Sequence, residues 1–478
     1  MMILWCYLLT SVLYLFSFPI FDLSLLGWIC LVPFIIAVDQ EKNIRAVVGH
    51  SFICGLVIFV GGMYWLINVT WLGLILLASY LALYIVFFGI IRFYCKEFIV
   101  IPVAWTALEY VRGSFLGGIP WLLLGASQYR CLPVIQLAGI TGVYGISFLV
   151  ALVNGALASR KWVHLVITVS LLGVVVLYGK YCLDKPSVGK QVKVAVVQPN
   201  IPQDIKMDSR YNAWMMNRLE KLTEKIEGVL FVVWPETSVP QLSRNRDILD
   251  GIRKLAGRLR ENIVLGSQGV GKGQKRCHYN SAFIISPSGE VCGEYRKMHL
   301  VPFGEYVPFK SVFPFLKGFT PIDEGFCQGD EYKVFQVRNS EEEARVAVVI
   351  CFEDIFPSLA RRFVRQGAQL LVNITNDAWF GNTAAVYQHA YLSVFRTVEN
   401  NVPLVRATNT GLSCFIDNKG RISELTPFAA ASAEKEITIT ESNEGTFYNN
   451  HGDLLCWVCI ILLLLFILRY NIKVSGKN

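Results

Sequence analysis

The sequence predicts a multi-pass α-helical membrane bundle that carries a separate, extracytoplasmic α/β domain. Three observations predict it. The 478-residue chain is 54% hydrophobic and only 17% charged, whereas soluble domains carry about 25% charged residues. Residues 46 to 91 contain no Lys, Arg, Asp or Glu. Residues 190 to 445, in contrast, alternate short β-rich runs with helical patterns, as a layered α/β protein does.

The apolar part comes first. A bilayer core about 30 Å thick takes roughly 20 apolar residues of helix, and eight runs approach that length, near 3–19, 23–38, 46–68, 70–91, 97–111, 134–158, 162–179 and 453–468. The first, second and fifth are short, which suits tilted or bundle-buried helices. If the spans alternate, Lys42 and Arg45, Arg92 and Lys96, Arg160 and Lys161, and Arg469, Lys473 and Lys477 fall on one side, and the basic side faces the cytoplasm. Arg112 and Arg130 fall on the other. The first run lacks a basic leader and an A-x-A cleavage site and a second apolar run follows at once, so it reads as a retained span rather than a signal peptide. The expected organisation is a seven-span bundle over 1–182, an exported domain over 190–445, and a last span with a cytoplasmic tail over 452–478. His50 and Glu109 are the main ionisable residues within the spans, with Glu109 expected at the membrane interface.

The net charge of +8 then belongs to cytoplasmic loops, and no nucleic-acid module or partner is indicated. The thirteen cysteines include one C-x-x-C pair, Cys456 and Cys459 inside the last apolar run, and the six histidines show no ligand spacing, so no metal or cofactor is expected. Cys277 and Cys292 flank an expected hairpin and are the pair considered for a disulfide. The stretch G-V-G-K-G at 269–273 falls short of a P-loop and reads as a loop.

In the α/β part, runs at 192–198, 229–234, 262–268, 281–286, 345–352, 369–375, 403–408 and 412–416 read as strands. Helical patterns lie at 209–226, 243–260, 357–366 and 384–400. Polar groups that matter in such sheets gather at the carboxyl ends of strands. Glu236 follows L-F-V-V-W-P, Lys297 ends G-E-V-C-G-E-Y-R-K, and Cys351 ends R-V-A-V-V-I before a helix that Pro357 opens. An acid, an amine and a thiol suit nucleophilic catalysis: a thiol of pKa about 8.5 needs a base or a cation to react at neutral pH. Glu236 can take the proton, Lys297 can stabilise thiolate and oxyanion, and Glu305 or Glu353 can pair the lysine. Each also has a plain structural reading, as a turn acid, a solvated strand end and a core cysteine, and spacing alone does not bring the three together.

The ordered segments W-P-E (234–236), Y-R-K-M-H-L-V-P-F-G-E-Y-V-P (295–308) and C-F-E (351–353) resemble the nitrilase superfamily, with its Glu, Lys and Cys in that order. Q-P-N-I-P-Q (198–203), N-x-T-N-D-A-W-F-G (373–381), V-R-A-T-N-T-G (405–411) and R-G-x-x-x-x-G-x-P-W (112–121) further resemble the apolipoprotein N-acyltransferase family. The resemblance implies a nitrilase-like αββα sandwich on the bundle, with Cys351 as nucleophile, Glu236 as base, Lys297 as oxyanion stabiliser, and Glu305 and Glu353 in support. Met207 and Phe352 would be substrate contacts; they stand where the family usually has Trp and Tyr.

What the resemblance implies for function is acyl transfer at a bacterial inner membrane, with the catalytic domain on the periplasmic side. The acyl donor would be a membrane phospholipid, phosphatidylethanolamine by analogy, and the acceptor the N-terminal amine of a diacylglyceryl apolipoprotein, through a thioester on the cysteine. F-P-F-L-K-G-F at 313–319 is a candidate lid, or equally a packed loop. The rival readings are a membrane-tethered amidase with water as acceptor and a transporter or scaffold with an inert domain.

Overall fold

A computed structural model describes residues 2–206, 208–239, 242, 246–271, 277–307, 325–440 and 445–475, with side chains to 470. Met207 and the 313–319 stretch lie outside the described residues. The chain divides into two compact units. The first comprises Met1–Pro186, Thr383–Glu399 and Thr446–Asn478, and the second Ser187–Asn382 and Asn400–Gly445.

The first unit is helical. Among the described residues, three of its helices are long and apolar enough to cross a membrane: Ile44–Gly62, Trp71–Tyr94 and Trp162–Asp184. The other runs give shorter apolar helices, among them Met2–Phe16, Val100–Ser114 and Leu454–Tyr470. The run expected at 134–158 is not one straight span, because Leu132–Thr141 and Val143–Ser159 meet at a 120° bend. Gly142 makes the bend with φ +69°, and a Cβ there would meet the Tyr448 ring at 2.6 Å. Glu109 is buried within this unit, accepting from Trp105 Nε1 at 2.9 Å and from the Leu124 N–H at 2.7 Å.

One helix of this unit comes from far along the chain. Ala384–Asn400 lies between two strands of the second unit in sequence, yet Gln388 accepts from Trp121 Nε1 at 2.8 Å and donates to the Pro19 carbonyl at 3.1 Å. Glu399 accepts from the Val143 N–H at 3.0 Å and from Arg396 at 2.8 Å. The tryptophan of the 112–121 motif is thus a buried anchor for Gln388.

The second unit is built from twelve strands: β1 (Lys190–Gln198), β2 (Phe231–Val233), β3 (Asn262–Val270), β4 (His278–Ile285), β5 (Val291–Arg296), β6 (Val334–Arg338), β7 (Glu343–Ile350), β8 (Leu370–Thr375), β9 (Leu404–Thr408), β10 (Cys414–Ile416), β11 (Ile422–Glu424) and β12 (Ala431–Ile439). They form two six-stranded sheets of order β12-β1-β2-β3-β4-β5 and β11-β10-β9-β8-β7-β6. Each has a parallel centre, β1-β2-β3 and β7-β8-β9, with antiparallel edges. The central strands are nearly continuous runs of Val, Ile and Leu, as strands buried on both faces must be. The sheets pack face to face. Helices Asn212–Thr223 and Arg246–Leu259 cover the first sheet with Leu219, Ile252, Leu255 and Ala256 against Val232, Trp234, Ile263 and Leu265. Pro357–Arg365 is the crossover between β7 and β8. The architecture is the αββα sandwich.

β12 escapes a reading by sequence pattern because Glu434, Lys435 and Glu436 lie on its exposed part. It pairs along its whole length with β1, and charge suits an edge strand. The expected cysteine pairing also changes. Cys277 bonds Cys327, with Cα atoms 6.0 Å apart, and Cys292 is exposed and free. The register explains it: Ile285 opposes Val291, so Cys292 sits near the turn while Cys277 precedes the far end of β4. At about 3.4 Å per residue the two are far beyond disulfide reach.

Replacing Cys327 with Ser is expected to lower the second unit's stability by about 2–4 kcal/mol, read as earlier unfolding in denaturant, whereas Cys292→Ser leaves it unchanged. Without reductant, an alkylating reagent marks Cys292 and spares Cys277 and Cys327.

Candidate active site

Three strand ends of the second unit converge, and each turns sharply where it delivers its side chain. After β2, Pro235 offers no N–H to extend the ladder, and Thr237 takes φ +47°. Gly266 of β3 makes room for this turn: a Cβ there would stand 2.5 Å from Thr237 N and 2.6 Å from Glu236 Cα. Glu236 is left at 7% exposure. Lys297 directly follows β5; its N–H donates to the Asn280 carbonyl and its own carbonyl accepts from the Gly329 N–H, each at 2.8 Å. A turn through Phe303, φ +60°, then brings Glu305 back beside it. Cys351 leaves β7 at φ +52° and opens the 3-10 turn Cys351–Ile355. A left-handed residue other than glycine costs roughly 1–3 kcal/mol and persists where its surroundings hold it.

Lys297 is 1% exposed. Its Nζ donates to Glu305 Oε1 at 2.9 Å and stands 3.9 Å from Glu236 Oε1. Asn280 joins the two acids through one amide nitrogen, 2.7 Å from Glu236 Oε1 and 2.9 Å from Glu305 Oε1. The second oxygen of Glu305 accepts from the Val301 N–H at 2.8 Å. Burial opposes the lysine's charge, but Glu305, Cys351 and Glu236 outweigh it and hold the ammonium well above the ordinary lysine range. Glu305 is therefore the acid that pairs the lysine.

Glu353 does something else. Fully buried, it accepts from the N–H groups of Met298 at 2.7 Å, His299 at 3.0 Å and Ile350 at 2.7 Å, and from the Tyr295 hydroxyl at 2.9 Å. It clamps the backbone after Lys297 to the backbone before Cys351. Burial pushes its carboxyl up to about 7 against the pull of these donors and of Lys297. Every partner donates, so the ionised form fits the site.

Cys351 is half-buried. Burial first, then the Glu236 charge, raise its thiol above the ordinary range, while Lys297 pulls it down. The resting group is the thiol, flanked by an acid able to take its proton and a cation able to hold the charge left behind. Phe352 packs edge-on against Phe356 with ring centres 5.3 Å apart.

Sequence reading gave no role to several residues that frame the thiol. Asn373 donates to the Cys351 carbonyl at 3.0 Å. Behind it, Arg406 binds Asp354 at 2.6 Å, Asn373 at 3.0 Å and Asp377 at 3.0 Å, all fully buried. Asn409 donates to the Ile201 carbonyl and to Asn376, each at 2.9 Å, and Asn376 donates to Gln203 at 2.8 Å. The segments around 198–203, 373–381 and 405–411 are thus one hydrogen-bonded frame linking β1, β8 and β9. Their density of Asn, Asp and Arg beside apolar strands was the available signal. Lys206, also passed over, donates to the Glu236 carbonyl at 2.7 Å. Among the described residues no three His, Cys, Asp or Glu side chains group as a metal site.

Fold and site together define a protein of the carbon-nitrogen hydrolase class, and residues 193–443 match the family described as carbon-nitrogen hydrolase. Residues 10–156 match the apolipoprotein N-acyltransferase N-terminal domain. The chain is 39% identical to the apolipoprotein N-acyltransferase of Geobacter metallireducens across 95% of this chain and 92% of that one, and 30% identical to that of Chlorobaculum tepidum across 93% and 91%. It belongs to the apolipoprotein N-acyltransferase family. Among solved structures, an amidase from Nesterenkonia sp. aligns with a TM-score of 0.40 and 19% identity, over 53% of this chain and 92% of that one.

The Glu353→Gln substitution is expected to destabilise the second unit by about 2–3 kcal/mol, because its amide must turn a donor toward a backbone N–H and leave that buried group unpaired. Denaturant unfolding of the two proteins side by side checks it.

Proposed function

We propose that the chain transfers an acyl group from a membrane phospholipid to the N-terminal amine of an S-diacylglyceryl-cysteine apolipoprotein. What supports this reading is Lys297 standing 3.9 Å from Glu236, with the charges of both acting on half-buried Cys351, in a chain related over almost its full length to apolipoprotein N-acyltransferases.

In the first half-reaction Glu236 takes the Cys351 proton and the sulfur attacks the ester carbonyl of the lipid. Lys297 stabilises the oxyanion that forms. Collapse breaks the ester C–O bond, Glu236 returns the proton to the departing oxygen, and a lysophospholipid leaves. In the second, the acceptor amine attacks the thioester, Glu236 takes its proton, and the thiolate departs as the amide forms. Glu305 keeps Lys297 charged and aimed throughout, and Glu353 fixes the separation of the lysine and cysteine loops. Phosphatidylethanolamine is the donor proposed, and Met207 and Phe352 are the proposed substrate contacts.

The setting proposed is a bacterial inner membrane with the second unit on the periplasmic side. The bias of basic residues in short loops supports that orientation. So does the Cys277–Cys327 disulfide, since such bonds persist in oxidising compartments. A membrane setting suits the chemistry, because drawing an acyl chain out of lipid costs about 0.8 kcal/mol per CH₂.

Incubating the detergent-solubilised protein with phospholipid is expected to add one acyl mass to the Cys351 peptide, and an amine acceptor then discharges it. Cys351→Ser gives no thioester, and Glu236→Gln and Lys297→Met slow its formation by about a hundredfold or more. Phospholipid consumption at an unchanged rate in Cys351→Ser would sink the proposal.

A further inference from the structure

Six Lys or Arg side chains are buried among the described residues, and five have a carboxylate within 4.0 Å. Arg92 has Asp39, Arg112 has Glu109, Lys297 has Glu305, Arg396 has Glu399, and Arg406 has Asp354 and Asp377. Lys206 is the exception. At 6% exposure, at the end of the short helix Gln203–Lys206, its Nζ has one hydrogen-bond partner among the described residues, the Glu236 carbonyl at 2.7 Å. An ammonium has three donors, and burying its charge without a counter-charge is costly.

Besides the Glu236 carbonyl that it touches, the charges that act on it are the Glu236 carboxylate and the sulfur of Cys351. The wider cluster holds Lys297, Glu305 and Glu353 around that sulfur and lysine, with Asp377 behind Cys351. On its own segment, Asp204 is a separate acid and Asp208 is taken up by Arg210. At the reacting groups Glu236 and Glu305 are negative and Lys297 and Lys206 positive, while Glu353 is held by its own backbone N–H donors. Moving the thiol proton onto Glu236 leaves the net charge unchanged: the S–H bond breaks, an O–H bond forms on the carboxylate, and the negative charge moves to sulfur. Without Lys206 the same step would leave a thiolate and Glu305 sharing one lysine.

We propose that Lys206 is a positioning residue of this site, the counter-cation of the Cys351 thiolate, held in place by the Glu236 carbonyl and acting through Glu236 and Cys351. Lys297, already neutralised by Glu305, is then left for the oxyanion. The proposal deepens the acyl-transfer reading and rests on Cys351 as its nucleophile. It also gives the site a pH dependence. Burial lowers the Lys206 amine from 10.5 to about 8, so the supporting charge is present below that value and lost above it.

The test is the rate of Cys351 alkylation by iodoacetamide in the full-length protein, resolved by peptide mass spectrometry from pH 6 to 10, with exposed Cys292 as the control in the same molecules. The wild-type rate is expected to rise with pH and flatten near pH 8 as Lys206 discharges. K206R, whose charge persists, is expected to stay within about threefold of wild type at neutral pH and to keep rising through pH 8. K206M is expected to be slower by about tenfold at neutral pH, with Cys292 unchanged. A K206M rate equal to or above wild type, or a K206R profile that superimposes on wild type or is as slow as K206M, would overturn the proposal. Failure of wild-type Cys351 to take an acyl group from phospholipid would instead overturn the acyl-transfer reading and leave this result standing for the thiol alone.

Discussion

The ion pair between Lys297 and Glu305, 2.9 Å long and almost wholly removed from water, is the constraint around which the second unit is arranged. Taking an ammonium out of water costs several kcal/mol, and a partner of good geometry must compensate it. The chain supplies that partner eight residues downstream, through a loop whose backbone is bent at Phe303 and whose Val301 N–H fixes the second carboxylate oxygen. Asn280 then ties the pair to Glu236. A charge that would be prohibitive alone becomes a fixed feature beside the sulfur.

The second constraint is backbone position. Cys351, Thr237 and Phe303 all sit in the left-handed region, so each of the three loops holds a strained residue. What holds them is a set of buried acceptors and donors with no solvent alternative. Glu353 gathers three N–H groups from two different loops, and Asn373 secures the Cys351 carbonyl. Arg406 in turn holds Asn373, Asp354 and Asp377. Strain at the nucleophile is carried by a network that spans both sheets, which is why polar residues occur so densely in strands that are otherwise apolar.

The helical unit obeys the same logic in a different medium. Its polar groups are few, and several of the buried ones find partners inside it. Glu109 takes the Trp105 and Leu124 N–H groups, and Gln388 joins Trp121 to Pro19. Because Gln388 and Glu399 lie on a helix between β8 and β9 in sequence, the second unit's chain is committed to the first unit midway through its second sheet. The chain therefore passes between the two units four times, at 186/187, 382/383, 399/400 and 445/446.

Hydrophobic pattern by itself determined the two regimes, eight of the strands, three helices of the α/β part and the helix at 384–400 that belongs to the first unit, because burial of an apolar face leaves a periodic trace along the chain. It also placed Glu236, Lys297 and Cys351 at strand ends, where Pro235 and Pro357 punctuate the pattern. The meeting of those ends, the choice of Glu305 rather than Glu353 for the lysine, the Cys277–Cys327 bond and the seat of Lys206 were decided only in three dimensions. So was β12, whose charged residues carry no apolar period and whose partner β1 lies more than two hundred residues away. Pairings of this kind depend on distances between groups remote in sequence, and no local pattern encodes a distance.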